Sequence, residues 1–344
     1  MRSISAFVAL SFVAGVSGIK GWYSGELFSD PTQKPALNVT TVTGTTGGTF
    51  SYYPNPFQCT NVADCGCGDV GEPQCGPLNW AYVNADTLQT CLPDTGGQQT
   101  PINLDAFEDG YKALNKAEGR MKFTGGKCTG LIEKMKGTYE IVFFDECDET
   151  PKPLTVTVDG ETWNLWQMHV HAPSEHTVNG IYYPVEIHLV HVPDEPENAE
   201  NALVLGMFLT QGKGNSFFDI LTAQDADLGT ERRKLSEGEE VRMVKAANPY
   251  SLIPQDKAYW HYQGSLTAIG YGGCQLNGGE TFDSDKNNIQ WYVFKNPQTA
   301  SFSQLAWLTD YLCELPLPYL CQSNRPLQEI LPDTEIYKYG KMLK

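Results

Sequence analysis

Positive charge is scarce in this sequence. Its 344 residues include 24 lysines and arginines against 41 aspartates and glutamates, which gives a formal net charge of −17. A protein with this charge repels phosphate backbones and anionic lipid surfaces, and the sequence has no basic patch with interleaved aromatic residues to offset that repulsion. The composition therefore argues against binding to nucleic acid or to an anionic membrane, and it suits a soluble secreted protein.

Long hydrophobic runs are missing beyond the N-terminus. The apolar run Ile4–Val13 follows Arg2 and is followed by small residues at 16–18. It is too short to cross a membrane as a helix, and it has the layout of a secretory signal peptide. We predict a signal peptide at residues 1–18, no membrane span, and export to the outside of the cell or to a lumen reached through the secretory pathway.

Cysteines, by contrast, are plentiful. The ten cysteines are even in number and lie outside the predicted signal, which fits an oxidising compartment. Four of them crowd into a Gly-rich stretch, Cys59, Cys65, Cys67 and Cys75. A second zinc site is the alternative for these four, but their spacing matches no standard zinc finger, so disulfides are favoured. Asn38 begins an N-glycosylation motif that export would make available.

The pattern of elements predicts a mainly β protein of the α+β type. Short runs rich in β-branched and aromatic residues are separated by Gly, Pro and Asp. The clearest of these runs are Glu140–Phe144, Leu154–Val158, Leu203–Leu209 and Ile289–Phe294. Helical patterns are few, and we place them at Asp105–Glu118 and Phe217–Leu221. No internal repeat is evident.

Histidines are rare, and five of the six lie between Trp166 and His191. Alternate side chains of a strand share a face, so Gln167, His169 and His171 are expected to project together from one strand. Glu186 and His188 are expected to do the same from the next strand. The segment 173–184, with Asn179-Gly180 in its middle, has the turn chemistry to fold the second strand back antiparallel to the first.

Three imidazoles that meet at one point can hold zinc. Three protein ligands with a fourth position left to water is the catalytic pattern of zinc coordination. Gln167 lies two residues before His169, and Glu186 lies two residues before His188. These side chains can accept the outward N–H of a ligating ring and so hold its orientation. A histidine pair at i and i+2 is often only structural, but the third histidine and the two acceptors on the same faces favour a metal site.

The stretch Trp166–His191 resembles the signature of the α-class carbonic anhydrases, in the form with the short connection HAPSEHT. The resemblance extends to three further blocks and spans about three quarters of the chain, from Gly76 to about Gln328. Those blocks are GPLNW at 76–80, GGQQTPINL at 96–104 and YWHYQGSLT at 259–267. The resemblance implies a central, twisted, largely antiparallel sheet with a few short peripheral helices.

The resemblance also implies a site. His169, His171 and His188 match the zinc ligands, Gln167 and Glu186 match their hydrogen-bond partners, and His176 and His191 match structural histidines. Glu175 and Thr267 match the catalytic carboxylate and hydroxyl. An ionised carboxylate only accepts, so Glu175 would draw the Thr267 proton and leave the Thr267 oxygen as an acceptor. Val190, Val204, Leu266 and Trp291 match the apolar wall where carbon dioxide rests.

The activity implied by the resemblance is the reversible hydration of carbon dioxide to bicarbonate and a proton, by attack of zinc-bound hydroxide. Sulfonamides and anions are the expected inhibitors. Thr138 stands where the family usually carries a proton-shuttle histidine, so we expect slow proton transfer. The segment 268–270 departs from the family pattern and makes the pocket rim uncertain. By resemblance, Cys91 and Cys274 are expected to form a disulfide.

These interpretations divide the chain into a signal peptide at 1–18, an extension at 19–75, an enzymatic domain at 76–330 and a C-terminal tail at 331–344. The extension has no match in the family. One alternative function is a non-catalytic relative with a structural or matrix role, which would be expected to have lost a zinc ligand. Another is a zinc hydrolase for larger substrates, but no HExxH motif is present. The sequence does not predict the oligomeric state.

Overall fold

The computed structural model describes residues 97–135, 138–143, 154–193, 201–228, 240–243, 245–267, 289–312 and 323–341. Most of the described residues belong to strands or to the turns between them. The strands are β1 (Asn103–Leu104), β2 (Lys112–Ala113), β3 (Lys122–Thr124), β4 (Leu131–Met135), β5 (Thr138–Val142), β6 (Thr155–Val158), β7 (Glu161–His171), β8 (Thr177–Val178), β9 (Ile181–Tyr182), β10 (Val185–Val192), β11 (Ala202–Gln211), β12 (Glu240–Arg242), β13 (Tyr259–Gly264), β14 (Ile289–Phe294), β15 (Gln298–Ala300) and β16 (Tyr337–Tyr339). The helices are α1 (Ser216–Leu228), α2 (Phe302–Leu312) and a 3₁₀ helix at Pro249–Leu252.

One large sheet organises the molecule. Its strands follow the order β12-β4-β5-β7-β10-β11-β14-β13-β16-β2, with β15 beside β11 and with β6 linking β3 to β7. Most neighbours are antiparallel, whereas β11 runs parallel to β14 and to β15, and β16 runs parallel to β2. A small second sheet, β1-β8-β9, pairs β1 with two strands from the segment between β7 and β10. The expected fold class, a largely antiparallel sheet with few helices, is confirmed.

The central strands are buried on both faces. Nine of the eleven residues of β7 are buried, from Trp163 onward, and so are seven of the eight residues of β10. One face packs in an apolar core that includes Ile187, Leu205 and Phe294. Helix α2 covers part of that core, where the ring of Trp307 meets the ring of Tyr139 edge-on at 5.0 Å. The other face carries the polar residues of the candidate site.

Two tight turns fix the strands that surround the site. Asp159-Gly160 joins β6 to β7, with φ of 51° and 82°, and Asn179-Gly180 joins β8 to β9, with φ of 52° and 76°. Positive φ at both central residues is the type I′ pattern, which Asp-Gly and Asn-Gly adopt most readily. The predicted turn at 179–180 is thus confirmed, and it folds back a hairpin within the connection between β7 and β10.

The helix predictions were partly right. The segment around Phe217 is helical and extends over Ser216–Leu228, but the structure shows no helix at Asp105–Glu118. That stretch turns instead, with φ of 59° at Glu108 and 80° at Gly110, and the Asp105 side chain accepts the backbone N–H of Phe107. Side chain–backbone bonds of this kind compete with helix formation. Helix α2 was not predicted.

The end of the chain is part of the sheet. Residues 337–339, which we assigned to a C-terminal tail, form β16 and pair with both β13 and β2. Lys295 anchors this end further, because its buried ammonium group pairs with Glu108 and donates to the carbonyl oxygen of Gly340. In the described part of the chain, no helix has the length and apolar character needed to cross a membrane.

Candidate metal centre and its pocket

The register between β7 and β10 brings the histidines together. The strands are antiparallel, with His169 opposite His188 and His171 opposite Glu186. Residues directly opposite one another in a sheet share a face, and so do residues two positions apart. The predicted antiparallel pairing of these two strands is therefore confirmed, and all three imidazoles lie on one face.

The three rings surround a common point. The ring centroids of His169, His171 and His188 lie 4.7 to 5.0 Å from one another. One nitrogen from each ring lies within 4.8 Å of the other two. For example, Nε2 of His169 is 3.2 Å from Nδ1 of His188. The rings are buried, with at most 4% of any of the three side chains exposed.

The opposite nitrogen of each ring is held by an acceptor. Nδ1 of His169 donates to Oε1 of Gln167 at 2.7 Å, and Nε2 of His188 donates to Oε1 of Glu186 at 3.0 Å. Nδ1 of His171 donates to the carbonyl oxygen of Ser323. Because a neutral imidazole carries only one N–H, these bonds leave a lone pair on each inward nitrogen.

The electrostatics keep the rings neutral. Burial lowers the pKa of His171 to about 3, and it also lowers the pKa values of His169 and His188. Repulsion between the rings adds to the effect for His169 and His171. The neutral form is the form that ligates metals. Three converging lone pairs in a buried space repel each other unless a cation lies between them, so the donor set fits a zinc ion.

Glu186 is the most heavily bonded carboxylate in the centre. Its Oε2 accepts the backbone N–H groups of Glu175 and His176, at 2.9 and 2.8 Å. Its Oε1 accepts from the rings of His176 and His188. Burial raises the pKa of Glu186, but the charge interactions and side-chain hydrogen bonds with His176 and His188 outweigh burial and hold the pKa well below its usual range.

A second group of metal-ligating atoms exists, His176, Glu186 and His188. These atoms are already joined by hydrogen bonds, since Nδ1 of His176 and Nε2 of His188 both face Oε1 of Glu186. Nε2 of His176 lies 2.7 Å from the hydroxyl of Tyr262. This group is therefore a hydrogen-bond network that supports the first, and His176 has the structural role expected of it.

Glu175 lies beside the inward nitrogens. Its Oε2 is 3.5 Å from Nε2 of His171 and 3.9 Å from Nδ1 of His188. Its Oε1 accepts the backbone N–H of Arg325 at 2.9 Å. Burial raises the pKa of Glu175 well above its usual value, although the bonds from Arg325 and from the Thr267 side chain lower it. A divalent cation in the centre would add a strong pull toward the ionised form.

An apolar surface adjoins the three rings. Val190 on β10 pairs with Val204 on β11, and Val204 pairs with Trp291 on β14. Val190 follows His188 by two residues, so this row lies on the metal face of the sheet. The Trp291 ring lies 4.9 Å from the His188 ring and donates its N–H to the carbonyl oxygen of Ser265. Leu266 is half-buried next to Ser265.

Thr138 carries no group that could shuttle protons in water. It is fully buried, and its hydroxyl donates to the carbonyl oxygen of Val170 and accepts the N–H of the same residue. This hydroxyl completes the pairing between β5 and β7. His191 also has the core position expected of it, with one nitrogen toward the carbonyl oxygen of Leu189 and the other toward the hydroxyl of Tyr250.

The sequence interpretation missed the C-terminal contribution to the centre. Arg325 is 2% exposed, and its guanidinium donates to the carbonyl oxygen of Thr100, to Ser265 and to Gln99. The guanidinium thus reaches the segment that carries Thr267, while the backbone N–H of the same residue bonds Glu175. The available signal was that the resemblance continues to Gln328, which places residues 323–328 inside the matched region.

Other predicted residues lie outside the described part of the chain. These are Asn38 and the predicted disulfide pair Cys91 and Cys274. Cys128 is the only cysteine among the described residues; it is buried and disulfide-bonded.

Comparisons with known proteins agree with this geometry. The sequence model of the family described as eukaryotic-type carbonic anhydrase matches residues 75–332. A carbonic anhydrase of Klebsiella pneumoniae is 28% identical over 261 residues, which cover 75% of this chain and 86% of that protein. Human carbonic anhydrase 3 is 29% identical over 278 residues, covering 73% and 95%. Among solved structures, the α-carbonic anhydrase of Thermovibrio ammonificans in complex with the inhibitor sulfanilamide superposes with a TM-score of 0.58 at 25% identity, covering 85% of this chain and 99% of that one.

Proposed function

Because the chain belongs to the eukaryotic-type carbonic anhydrase family, we propose that it is a zinc enzyme that reversibly hydrates carbon dioxide to bicarbonate and a proton. The observation that carries the proposal is the meeting of three inward imidazole nitrogens, from His169, His171 and His188, whose outward nitrogens are held by acceptors. In a purely structural set of buried histidines, both nitrogens of each ring would form hydrogen bonds with other groups, and none would face the centre of the set.

The residues fit one metal and one open position. His169, His171 and His188 would hold the ion as neutral ligands, and Gln167, Glu186 and the carbonyl oxygen of Ser323 would hold the rings. When bound, zinc lowers the pKa of a water molecule to about 7, as is known for carbonic anhydrase, and so supplies hydroxide at neutral pH.

The wall formed by Val190, Val204, Leu266 and Trp291 would receive carbon dioxide. Carbon dioxide carries no net charge and offers no donor, so an apolar surface next to the metal is sufficient to hold it. Bicarbonate is charged and gains nothing from this surface. Water can therefore displace it.

Glu175 and Thr267 would orient the reacting oxygen. The carboxylate of Glu175 accepts a hydrogen bond from the Thr267 hydroxyl, so the Thr267 oxygen is left as an acceptor for another group. An acceptor at this point admits ligands that carry a proton and turns one lone pair of the oxygen toward the substrate. Arg325 assists by donating its backbone N–H to Glu175.

The experiment that tests the proposal is metal analysis combined with a stopped-flow hydration assay on the oxidised, purified protein. We expect one zinc per chain, loss of activity when a chelator removes the zinc, and recovery when zinc is returned. Sulfonamides and small anions are expected to inhibit the zinc-loaded protein. A protein that folds, binds no zinc and hydrates no carbon dioxide would support the alternative, a non-catalytic relative with a structural or matrix role.

Proton transfer to bulk solvent is expected to limit turnover. Hydration must release a proton in every cycle, and a group that titrates near neutrality transfers it best. Since the hydroxyl of Thr138 is bonded to the backbone of Val170, we expect turnover to rise with the concentration of an imidazole buffer at constant pH. A rate that is high and independent of buffer would contradict this expectation.

We further propose the layout predicted from the sequence: a signal peptide at 1–18, an extension at 19–75 and an enzymatic domain at 76–330, followed by the segment 331–344. The apolar N-terminal run and the even number of cysteines support export through the secretory pathway, the Asn-Val-Thr motif supports glycosylation at Asn38, and the resemblance to secreted family members supports a Cys91–Cys274 disulfide. Peptide mapping of the secreted protein, without and with reduction, tests all three.

A further inference from the structure

A pocket of about 530 Å³ lies at the opposite end of β7 from the three histidines. It opens where β3 and β6 meet the turn Asp159-Gly160, and Lys257 closes one side. From Glu161, the first residue of β7, to His169 the strand rises by roughly 25 Å. The pocket is therefore separate from the proposed metal centre, and nothing in the proposed reaction uses it.

The lining of this pocket is basic, although the chain as a whole is strongly acidic. Arg120, Lys122 and Lys257 line it together with one carboxylate, that of Asp159. In the described part of the chain, no carboxylate forms an ion pair with any of these three cations. Lys257 is instead placed over the ring of Phe123, with its Nζ 4.9 Å from the ring centroid. Three cations that line one concave surface and have no carboxylate partner among the described residues attract anions strongly.

The size of the pocket limits what it can hold. Ligand sites for small organic molecules enclose about 300–1,000 Å³, far more than one inorganic anion needs. The net charge of −17 opposes long polyanions such as nucleic acids. The apolar side chains of Met121, Phe123 and Val158 can pack on an organic body, and the Asp159 carboxylate can accept from a hydroxyl.

We propose that this pocket binds a small organic polyanion, a hydroxyl-bearing molecule with two or more sulfate, phosphate or carboxylate groups. The three cations would neutralise the anionic groups. The shared chemistry is a cluster of negative charges on a compact body, and the three anion types are distinguished by experiment.

The test is isothermal titration calorimetry of the full-length protein at low ionic strength with four probes that all carry free hydroxyl groups: a disulfated disaccharide, inositol 1,4,5-trisphosphate, citrate and uncharged sucrose. We expect at least one charged probe to bind and sucrose not to bind. The tightest probe identifies the anion type. Added salt should weaken binding, because screening acts on exposed charges. Failure of all three charged probes, or equal binding of sucrose, would overturn the proposal.

Matched variants locate the binding. Lys122→Gln and Lys257→Gln should each weaken the tightest probe by about tenfold, which corresponds to the loss of one charge-assisted contact. Lys213→Gln removes an exposed lysine outside the pocket and should leave binding unchanged. Anions that bind at the metal centre would be insensitive to all three substitutions. Equal binding by the pocket variants and the wild type would therefore refute the assignment.

A second, independent observation concerns Gly206 on β11, directly opposite His188. A Cβ atom at this position would lie 3.0 Å from Oε1 of Glu186 and 3.4 Å from Val293. That oxygen is the acceptor for Nε2 of His188. We infer that Gly206 is a positioning residue, which leaves the space that Glu186 needs in order to hold His188. This inference rests on the proposed zinc site.

The variant Gly206→Ala tests it by the rate at which zinc passes to a chelator. We expect release to be up to about tenfold faster than in the wild type, because a displaced Glu186 holds His188 less well and complete loss of such a partner costs 10–100-fold in metal affinity or activity. Glu186→Asp in the Gly206→Ala background shortens the carboxylate and should recover part of the loss. Because Val293→Ala removes the other close contact, the same comparison can be made in that background should Gly206→Ala not fold.

The control is Gly130→Ala. Its Cβ would meet Ile141 and the carbonyl oxygen of Val142 at 2.4 and 2.8 Å, away from Glu186. We expect it to lower thermal stability without changing zinc release. Wild-type release from Gly206→Ala, or equally fast release from Gly130→Ala, would show that Gly206 only packs. Zinc stoichiometry of the wild type tests the zinc site separately.

Discussion

The two faces of β10 each carry a buried histidine, but only one of the two rings has a nitrogen available to a metal. His188 faces the metal centre, and His191 lies beyond a register shift between residues 190 and 191, on the core side. Both nitrogens of His191 meet oxygen atoms, those of Leu189 and Tyr250. In His188, Nε2 donates a hydrogen bond to Glu186, whereas Nδ1 faces Nε2 of His169. Burial and residue type alone do not make a ligand; the direction of the second nitrogen does.

The sharpest way to break this comparison is to remove each histidine in turn. We expect His188→Ala to abolish stoichiometric zinc binding and to lower hydration activity by at least about a thousandfold, since the chemistry depends on the metal. His191→Phe should keep both zinc and activity. It should lose roughly 1–3 kcal/mol of stability, because it leaves the buried groups that His191 bonds without a partner. The measurements are zinc content, stopped-flow rates and chemical denaturation.

If His191→Phe lost zinc while remaining folded, the two faces would not be independent and the comparison would fail. If His188→Ala kept one zinc per chain, His188 would not be a zinc ligand, and neither of the two groups of metal-ligating atoms, which share His188, would be the zinc site.

A smaller effect is expected from the acceptors that hold the rings. Gln167→Ala removes the partner of Nδ1 of His169 but leaves all three ligands in place. Loss of such an outer partner typically costs 10–100-fold in metal affinity or activity. We therefore expect zinc affinity to fall within roughly that range, measured by competition with a chelator, while Gln167→Glu should retain most of the affinity. An unchanged affinity in Gln167→Ala would mean that β7 packing alone orients His169.

The smallest expected effect is the contribution of His191, on the core face of β10, to the pH dependence of folding stability. Burial lowers the pKa of His191 from 6.5 to about 3. Between pH 6.5 and 3, His191 is therefore protonated in the unfolded chain but neutral in the folded chain. The free energy of unfolding is thus highest above pH 6.5, and this contribution is lost as the pH falls toward 3. We expect the metal-free His191→Phe variant to lose less stability than the metal-free wild type between pH 6.5 and 4.5. Denaturation at several pH values measures the difference, and parallel pH dependences would contradict it.

Much of the site could be predicted because its pattern is local. Gln167, His169 and His171 lie on one strand with a period of two, and Glu186 and His188 repeat the pattern on the next. The turn residues Asn179-Gly180 signalled the fold-back. The helix predicted at Asp105–Glu118 was wrong because the Asp105 side chain competes for backbone N–H groups, a choice that the apolar spacing does not reveal.

The sequence by itself determined the central strands and the histidines that share a face, since side-chain alternation in a strand follows from backbone geometry alone, whereas the apolar wall beside them was inferred from the family resemblance. Only the tertiary structure decided which oxygen atoms hold those rings and which carboxylate stands next to them. Ser323 and Arg325 contact the centre although they lie about 150 residues further along the chain. Gly206, on the neighbouring strand β11, has no side chain that would crowd Glu186. Contacts of this kind depend on sheet order and on closely packed neighbours, and no local pattern in the chain encodes them.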